Sequence, residues 1–285
     1  MSDIHDVDLE QFKHLVSERA LRGETMVLNM GPQHPSTHGV LRVILELDGE
    51  IVVNTIPDVG FLHTGIEKSM ESKRYLQAEV MTDRQDYMDS LGNNLAYCLA
   101  VEKLAGLDVP PRAQALRVIL VELNRLSNHL LFVASTGLDL GALSMFLFTL
   151  RERETILDIM ELVSGQRVMT TYFRPGGVWR DVPVEFEDAV RKYVATQWER
   201  IKQYEALLND NPIFKKRTQG LGVISREQCI EMGLTGPFLR ATGLAYDLRK
   251  ANPYCGYEQY DFDIPTEPNG DIYSRYKVRV AEMRQ

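Results

Sequence analysis

Two histidines, His34 and His38, stand in the nine-residue run GPQHPSTHG, and an acid-rich stretch, TDRQDYMDS, occupies residues 82–90. Pro32 and Pro35, bracketed by Gly31 and Gly39, deny the first run regular structure, so it forms a shaped loop able to present ring nitrogens at a fixed place. An H-x3-H pair suits a metal when a helix sets both rings on one face; the prolines forbid that helix, and histidines that brace the loop by hydrogen bonds are the competing use. In the second stretch a helix would make Asp83 a neighbour of Tyr87, four residues on, and Arg84 a neighbour of Tyr87, three on. Acids near a helix start are also favourable as plain solvated residues. Arg125 and His129 form a similar pair, read as structural. Asp139 lies amid apolar residues and needs a partner if buried; a histidine would serve, since an Asp–His pair fixes the tautomer. A tyrosine hydroxyl and an aspartate-backed histidine are two proton donors. Reducing a para-quinone takes two electrons and two protons, with a donor at each carbonyl oxygen. The sequence by itself does not place these groups face to face.

The elements that must position them follow from local pattern. Residues 1–25 form a polar lead-in. VLRVILEL (40–47), Asp48-Gly49 and IVVNTI (51–56) read as strand, turn and return strand. GFLHTGIEK (60–68) is a glycine-bracketed turn leading into helix. Helices are expected at about 83–105, 112–134 and 142–164, the middle one with a stripe of Leu116, Ile119, Leu120, Leu123, Leu126 and Leu130. Pro110-Pro111 separates it from its predecessor. Residues 129–150 are long enough to span a bilayer, but Gly137, Asp139 and Gly141 at the centre favour two buried helices joined at 136–141. FRPGG (173–177) is a break, and 184–208 a helix with a charged face. Three regions are expected: a polar extension at 1–25, a β-hairpin plus helical body at 26–208, and a smaller α+β lobe at 209–285 ending in an amphipathic helix. The fold class is α+β, mainly helical.

Composition bounds the partners. Against 32 Lys and Arg stand 40 Asp and Glu, a net charge of -8, which argues against a nucleic-acid grip built on basic residues. The three cysteines, Cys98, Cys229 and Cys255, are scattered and odd in number, which points to a reducing compartment rather than a disulfide framework. The N-terminus lacks a signal or transit pattern, so a cytoplasmic chain is expected unless a partner ties it to a membrane.

GPQHPSTHGVLRVILELDGE, followed in order by GFLHTGIEK, RYLQAEVMTDRQDYMDSLGNNLAYCLAVEKL, VPPRAQALRVILVELNRLSNHL and LRERETILDIMELVSGQR, resembles the family of D-type subunits of respiratory complex I, the NADH:quinone oxidoreductase. GLTGPFLRATGLAYDLRKANPYCGYEQYDFDIP and GDIYSRYKVRVAEMRQ continue the likeness, which covers the chain from Met26 on. The resemblance implies that His38 and Tyr87 meet the quinone headgroup, that Asp139 hydrogen-bonds His38, and that His34 supports the loop. It implies that Arg84 lies beside the terminal [4Fe-4S] cluster of a partner subunit. Many family members carry a histidine where this chain has Met169, close to that cluster. The implied partners are a cluster-bearing subunit of the B type, a subunit of the C type and a membrane subunit of the H type. The implied place is the cytoplasmic face of a bacterial cell membrane, as a peripheral subunit that couples quinone reduction to proton translocation. No cofactor is expected on this chain alone, and no metal. Family chains continue beyond the point that matches Gln285, so a C-terminal part is expected to be missing.

The family's fold is similar to that of nickel–iron hydrogenase large subunits: an N-terminal β region and a helical body. A hydrogenase centre needs two pairs of cysteines, which three scattered ones cannot supply. No glycine-rich dinucleotide fingerprint is present, so NADH is expected to react on another subunit. The alternative of another class is a non-catalytic scaffold subunit of a hydrogenase-like membrane complex.

Overall fold

The computed structural model describes residues 17–37 and 39–285; His38 lies outside the described residues, as does most of the expected N-terminal extension. The chain divides into two units, with the boundary between Ser69 and Met70.

In the first unit a short helix, α1 (Glu18–Leu21), starts at Ser17, whose hydroxyl oxygen accepts the Ala20 N–H. Three strands follow, β1 (Met26–Met30), β2 (Arg42–Asp48) and β3 (Ile51–Asp58), in one antiparallel sheet in that order. The β2–β3 hairpin lies where the alternation and the Asp48-Gly49 turn put it, with Asp48 opposite Ile51. β1 was not expected: its five residues, MVLNM, are too few for a period, and pairing with β2 makes them a strand. The Met30–Val43 pairing brings the two ends of the 31–39 loop together. Gly31 is required there, since a Cβ would stand 2.2 Å from the Leu41 carbonyl oxygen at a φ of +96°. Glu46 is buried on β2 and is satisfied by the Ser17 N–H at 3.1 Å, the Thr25 hydroxyl at 2.7 Å and the Ser17 hydroxyl. The Ser17 hydroxyl, chief among these donors, holds its carboxyl below the usual range.

A helix α2 (Ile66–Glu71) crosses the boundary. The second unit is helical: α3 (Tyr75–Thr82), α4 (Ser90–Ala105), α5 (Pro111–Asp139), α6 (Leu143–Ser164) and α7 (Phe186–Leu208). Gly106, left-handed at φ +64°, ends α4, and Pro111 opens α5 where its missing N–H costs nothing. The apolar stripe of α5 is buried at Leu116, Leu120, Leu123 and Leu130, whereas Ile119 is 38% exposed at the edge of that face. α5 and α6 are two separate helices joined at residues 140–142, and no helix among the described residues is long and apolar enough to cross a membrane. They approach closely because Gly137 has no side chain: a Cβ there would lie 2.8 Å from that of Met145. The core gathers Leu91, Leu95, Leu120, Leu130, Met145, Ile156, Met160, Tyr193 and Tyr204 from α4 to α7.

The FRPGG break is a tight hairpin, β4 (Phe173–Arg174) against β5 (Gly177–Val178). Arg117, wholly buried on α5, fastens it. Its guanidinium forms two bonds to Glu102, at 3.0 and 2.5 Å, and donates to the carbonyls of Arg174 and Gly177 at 2.8 Å each. Removing one member of such a buried pair strands the other, a cost of about 3–5 kcal/mol.

The region after 209 departs from the α+β expectation. Its described residues up to 271 form short helices, α8 (Pro212–Thr218), α9 (Arg226–Glu231), α10 (Gly236–Arg240) and α11 (Leu248–Ala251), and no strands. Glycines and prolines interrupt it before any alternation reaches strand length. The closing helix, α12 (Ile272–Glu282), starts where the Asp271 carboxylate accepts the Ser274 N–H at 2.7 Å.

Candidate functional site

The 83–89 segment corrects the sequence-based expectation of helix. α3 stops at Thr82 and α4 begins at Ser90, and the residues between form an irregular turn. Its three aspartates explain why. Asp83 accepts the Thr171 N–H at 2.6 Å and the Thr171 hydroxyl at 2.7 Å. Asp86 accepts the Met88 N–H at 3.0 Å, and Asp89 accepts the Asn124 side-chain amide at 2.6 Å. Asp86, bonding backbone two residues on, competes with helix locally, while Asp83 and Asp89 pin the turn to distant Thr171 and Asn124. Asp83 is therefore not a solvated helix start but is wholly buried.

Arg84 and Tyr87 project from this turn. Arg84 is exposed and donates to the Val80 carbonyl at 2.6 Å. Tyr87 is 47% exposed, its ring carried on a backbone that the three aspartates hold. Met169, half-buried, has φ +57°, and Thr171 has φ +38°. The Asp83–Thr171 bonds thus join the turn bearing Arg84 and Tyr87 to the segment bearing Met169. Asp139 is the last residue of α5 and is exposed. In the first unit His34 is exposed, and its Nδ1 accepts the Ser36 N–H at 3.1 Å. His38 cannot be added to this geometry.

Sequence reasoning missed a second buried carboxylate. Glu79, one helical turn before Asp83, is 1% exposed and pairs with Arg174. Burial raises the carboxyls of both residues. The Arg174 charge opposes this at Glu79, which the Asp83 charge pushes further up; the Thr171 donors oppose it at Asp83. The i, i+4 spacing of Glu79 and Asp83 was readable, but nothing local showed that the shared face turns inward.

His129 and Arg125, read as structural, sit in a separate network, buried at His129 and half-buried at Arg125. His129 Nε2 lies 2.8 Å from Glu282, whose other oxygen accepts from Arg240 at 2.6 Å. Glu122 accepts from Arg125 at 2.9 Å, from Arg249 at 3.0 Å and from the Tyr257 hydroxyl at 2.5 Å. A cavity of about 320 Å³ lies among Glu122, Arg125, His129, Arg249, Tyr257 and Glu282. The three cysteines are free, and burial pushes the Cys98 thiol up to about 12, far from a thiolate ligand.

The chain is 61% identical over 272 residues to a D-type subunit of the NADH-quinone oxidoreductase of Roseiflexus castenholzii, covering 95% of this chain and 65% of that protein. It is 61% identical over 264 residues to a D-type subunit of the same oxidoreductase in Chloroflexus aurantiacus, covering 93% and 64%. With a D-type subunit from Solibacter usitatus the identity is 53% over 279 residues, covering 98% and 67%. The chain thus spans about two thirds of the length of these relatives, and slightly less of the first two. The profile of the family described as respiratory-chain NADH dehydrogenase, 49 Kd subunit, matches residues 139–285, more than half of the chain. The chain therefore belongs to the family of the respiratory-chain NADH dehydrogenase 49 Kd subunit.

Proposed function

We propose that this chain is the subunit of a proton-translocating NADH-quinone oxidoreductase that presents the quinone-headgroup donors. The observation that carries this role is Tyr87: a half-exposed phenol on a turn whose three aspartates each accept a fixed donor. A group that must give a proton to a carbonyl oxygen has to be both reachable and held still. Tyr87 supplies one proton donor, and His38 the other, oriented by Asp139. Arg84 and Met169 belong to the environment of a [4Fe-4S] cluster held by a B-type partner subunit, and His34 keeps the 31–39 loop in shape. The electrons originate from NADH on another subunit. C-type and H-type subunits complete the surroundings, at the cytoplasmic face of a bacterial membrane. The fold reading that goes with this is a likeness to nickel–iron hydrogenase large subunits, without their metal-binding thiols.

The alternative, a scaffold subunit with no part in the chemistry, is separated by labelling. In the assembled complex a photoreactive quinone is expected to attach to the turn at Tyr87, and bound quinone to protect His38 from histidine-directed modification. Labelling of neither residue, in a complex that reduces quinone, would support the scaffold instead.

A further inference from the structure

Non-glycine residues rarely take left-handed backbone, and a β-branched one there is costly. The 169–171 segment holds two, Met169 and Thr171, so the surrounding structure must impose the conformation. Three contacts fasten the segment to α3, α4 and the turn between them. Arg174 pairs with Glu79, the Phe173 N–H donates to the Asn94 side-chain oxygen at 3.0 Å, and the Thr171 N–H and hydroxyl donate to the same oxygen of Asp83. Two of these side chains reach a strained residue directly: Arg174 donates to the Thr171 carbonyl at 2.7 Å, and Asp83 takes both Thr171 donors, the N–H and the hydroxyl.

We propose that Asp83 is a positioning residue: its carboxylate, by accepting both Thr171 donors, holds the segment with left-handed Met169 and Thr171 against the turn that carries Arg84 and Tyr87. The chemistry suits an anion. A carboxylate oxygen takes two short donors at once, and charge-assisted bonds of this kind are the strong ones. The other Asp83 oxygen, Oδ1, is buried and has no partner among the described residues. An asparagine would keep one acceptor but place an unpaired NH2 at that buried point. Asp83 is thus the side chain that ties the turn bearing Arg84 to the segment bearing Met169 through both Thr171 donors. The functional consequence rests on the proposal above that this turn faces both.

The test uses the assembled complex and measures amide hydrogen exchange of the peptide 166–174 together with the paramagnetic resonance spectrum and potential of the partner's cluster. Asp83→Ala is expected to raise exchange about tenfold or more, the scale of one lost charge-assisted bond, and to shift the cluster signal. Asp83→Asn gives a smaller rise. In the Asp83→Ala background, Thr171→Asn is expected to bring both readouts back toward wild type, because asparagine tolerates left-handed backbone. General loss of stability would not be reversed from position 171. Should Asp83→Ala fail to assemble, Thr171→Val removes only the hydroxyl donor and is expected to raise exchange a few-fold. Wild-type exchange in these variants, or no recovery in the double variant, would overturn the clamp. A clamp seen by exchange with an unmoved cluster signal would overturn the positioning role. Failure of the underlying functional proposal shows separately, as wild-type quinone reduction by Tyr87→Phe.

Discussion

The imidazole of His129, on α5, and the carboxylate of Glu282, at the end of α12, lie 2.8 Å apart, joining residues 153 positions apart in the chain. Both side chains are buried, and Arg240 holds the second Glu282 oxygen.

That pairing sets how the fold responds to acid. Despite the opposing cost of burial, the His129 bond and the charges around it hold Glu282 at about 2, against an ordinary 4.5. A depressed carboxyl contributes stability above its unfolded value, and that contribution fades as pH falls from 4.5 through about 2. The shift corresponds to on the order of 3 kcal/mol. Burial lowers His129, so protonation of the unfolded chain from about 6.5 downward adds to the loss. Asp247, held at about 2 mainly by Arg249, acts in the same sense. Glu282→Gln is expected to lose roughly 3 kcal/mol at neutral pH, with the difference from wild type vanishing toward pH 2. Denaturant unfolding of the full chain at a series of pH values checks this. Stability curves that stay parallel down to acid would show that Glu282 does not carry the effect.

His38 and Asp139 are proposed to act as one unit. Asp139→Asn keeps a group that can orient an imidazole but cannot stabilise its charged form, so it is expected to slow quinone reduction less than His38→Ala. The double variant is expected to be little slower than His38→Ala alone. Simple addition of the two effects in the assembled complex would separate the residues.

By the resemblance, Met169 is proposed to stand where many family members carry histidine, and methionine cannot titrate. The neighbouring cluster's potential is therefore expected to vary little with pH across the histidine range, and Met169→His to introduce a fall with rising pH that approaches about 59 mV per unit. A redox titration by paramagnetic resonance at several pH values measures both. A full slope in wild type would transfer the role to another group. Asp83 and Glu79, buried carboxyls with raised protonation, are then the residues to substitute next.

Local pattern disclosed the elements that obey a period or a turn rule: the β2–β3 hairpin, the α5 stripe and the Pro110-Pro111 break. It misread 83–89, because aspartates at spacing three look like a helix start until their acceptors find Thr171, the Met88 N–H and Asn124. Those partners lie partly on distant segments, so no window along the chain could reveal them. Glu79, Arg117 and Glu282, and the burial of Asp83, were missed for the same reason: a buried charge is recognised by what it faces. The catalytic assignment came from the resemblance, and the structure supplied the fixed turn beneath Tyr87.

The most direct measurement is quinone reduction by the assembled Tyr87→Phe complex, with reduction of the partner's cluster by NADH followed in parallel. Phenylalanine keeps the ring and removes only the hydroxyl. The cluster is expected to be reduced as in wild type, while quinone reduction falls by about 10²–10⁴-fold, the usual worth of a positioned proton donor. Quinone reduction at the wild-type rate, in a complex shown to contain this chain, would contradict the assignment of Tyr87 as donor.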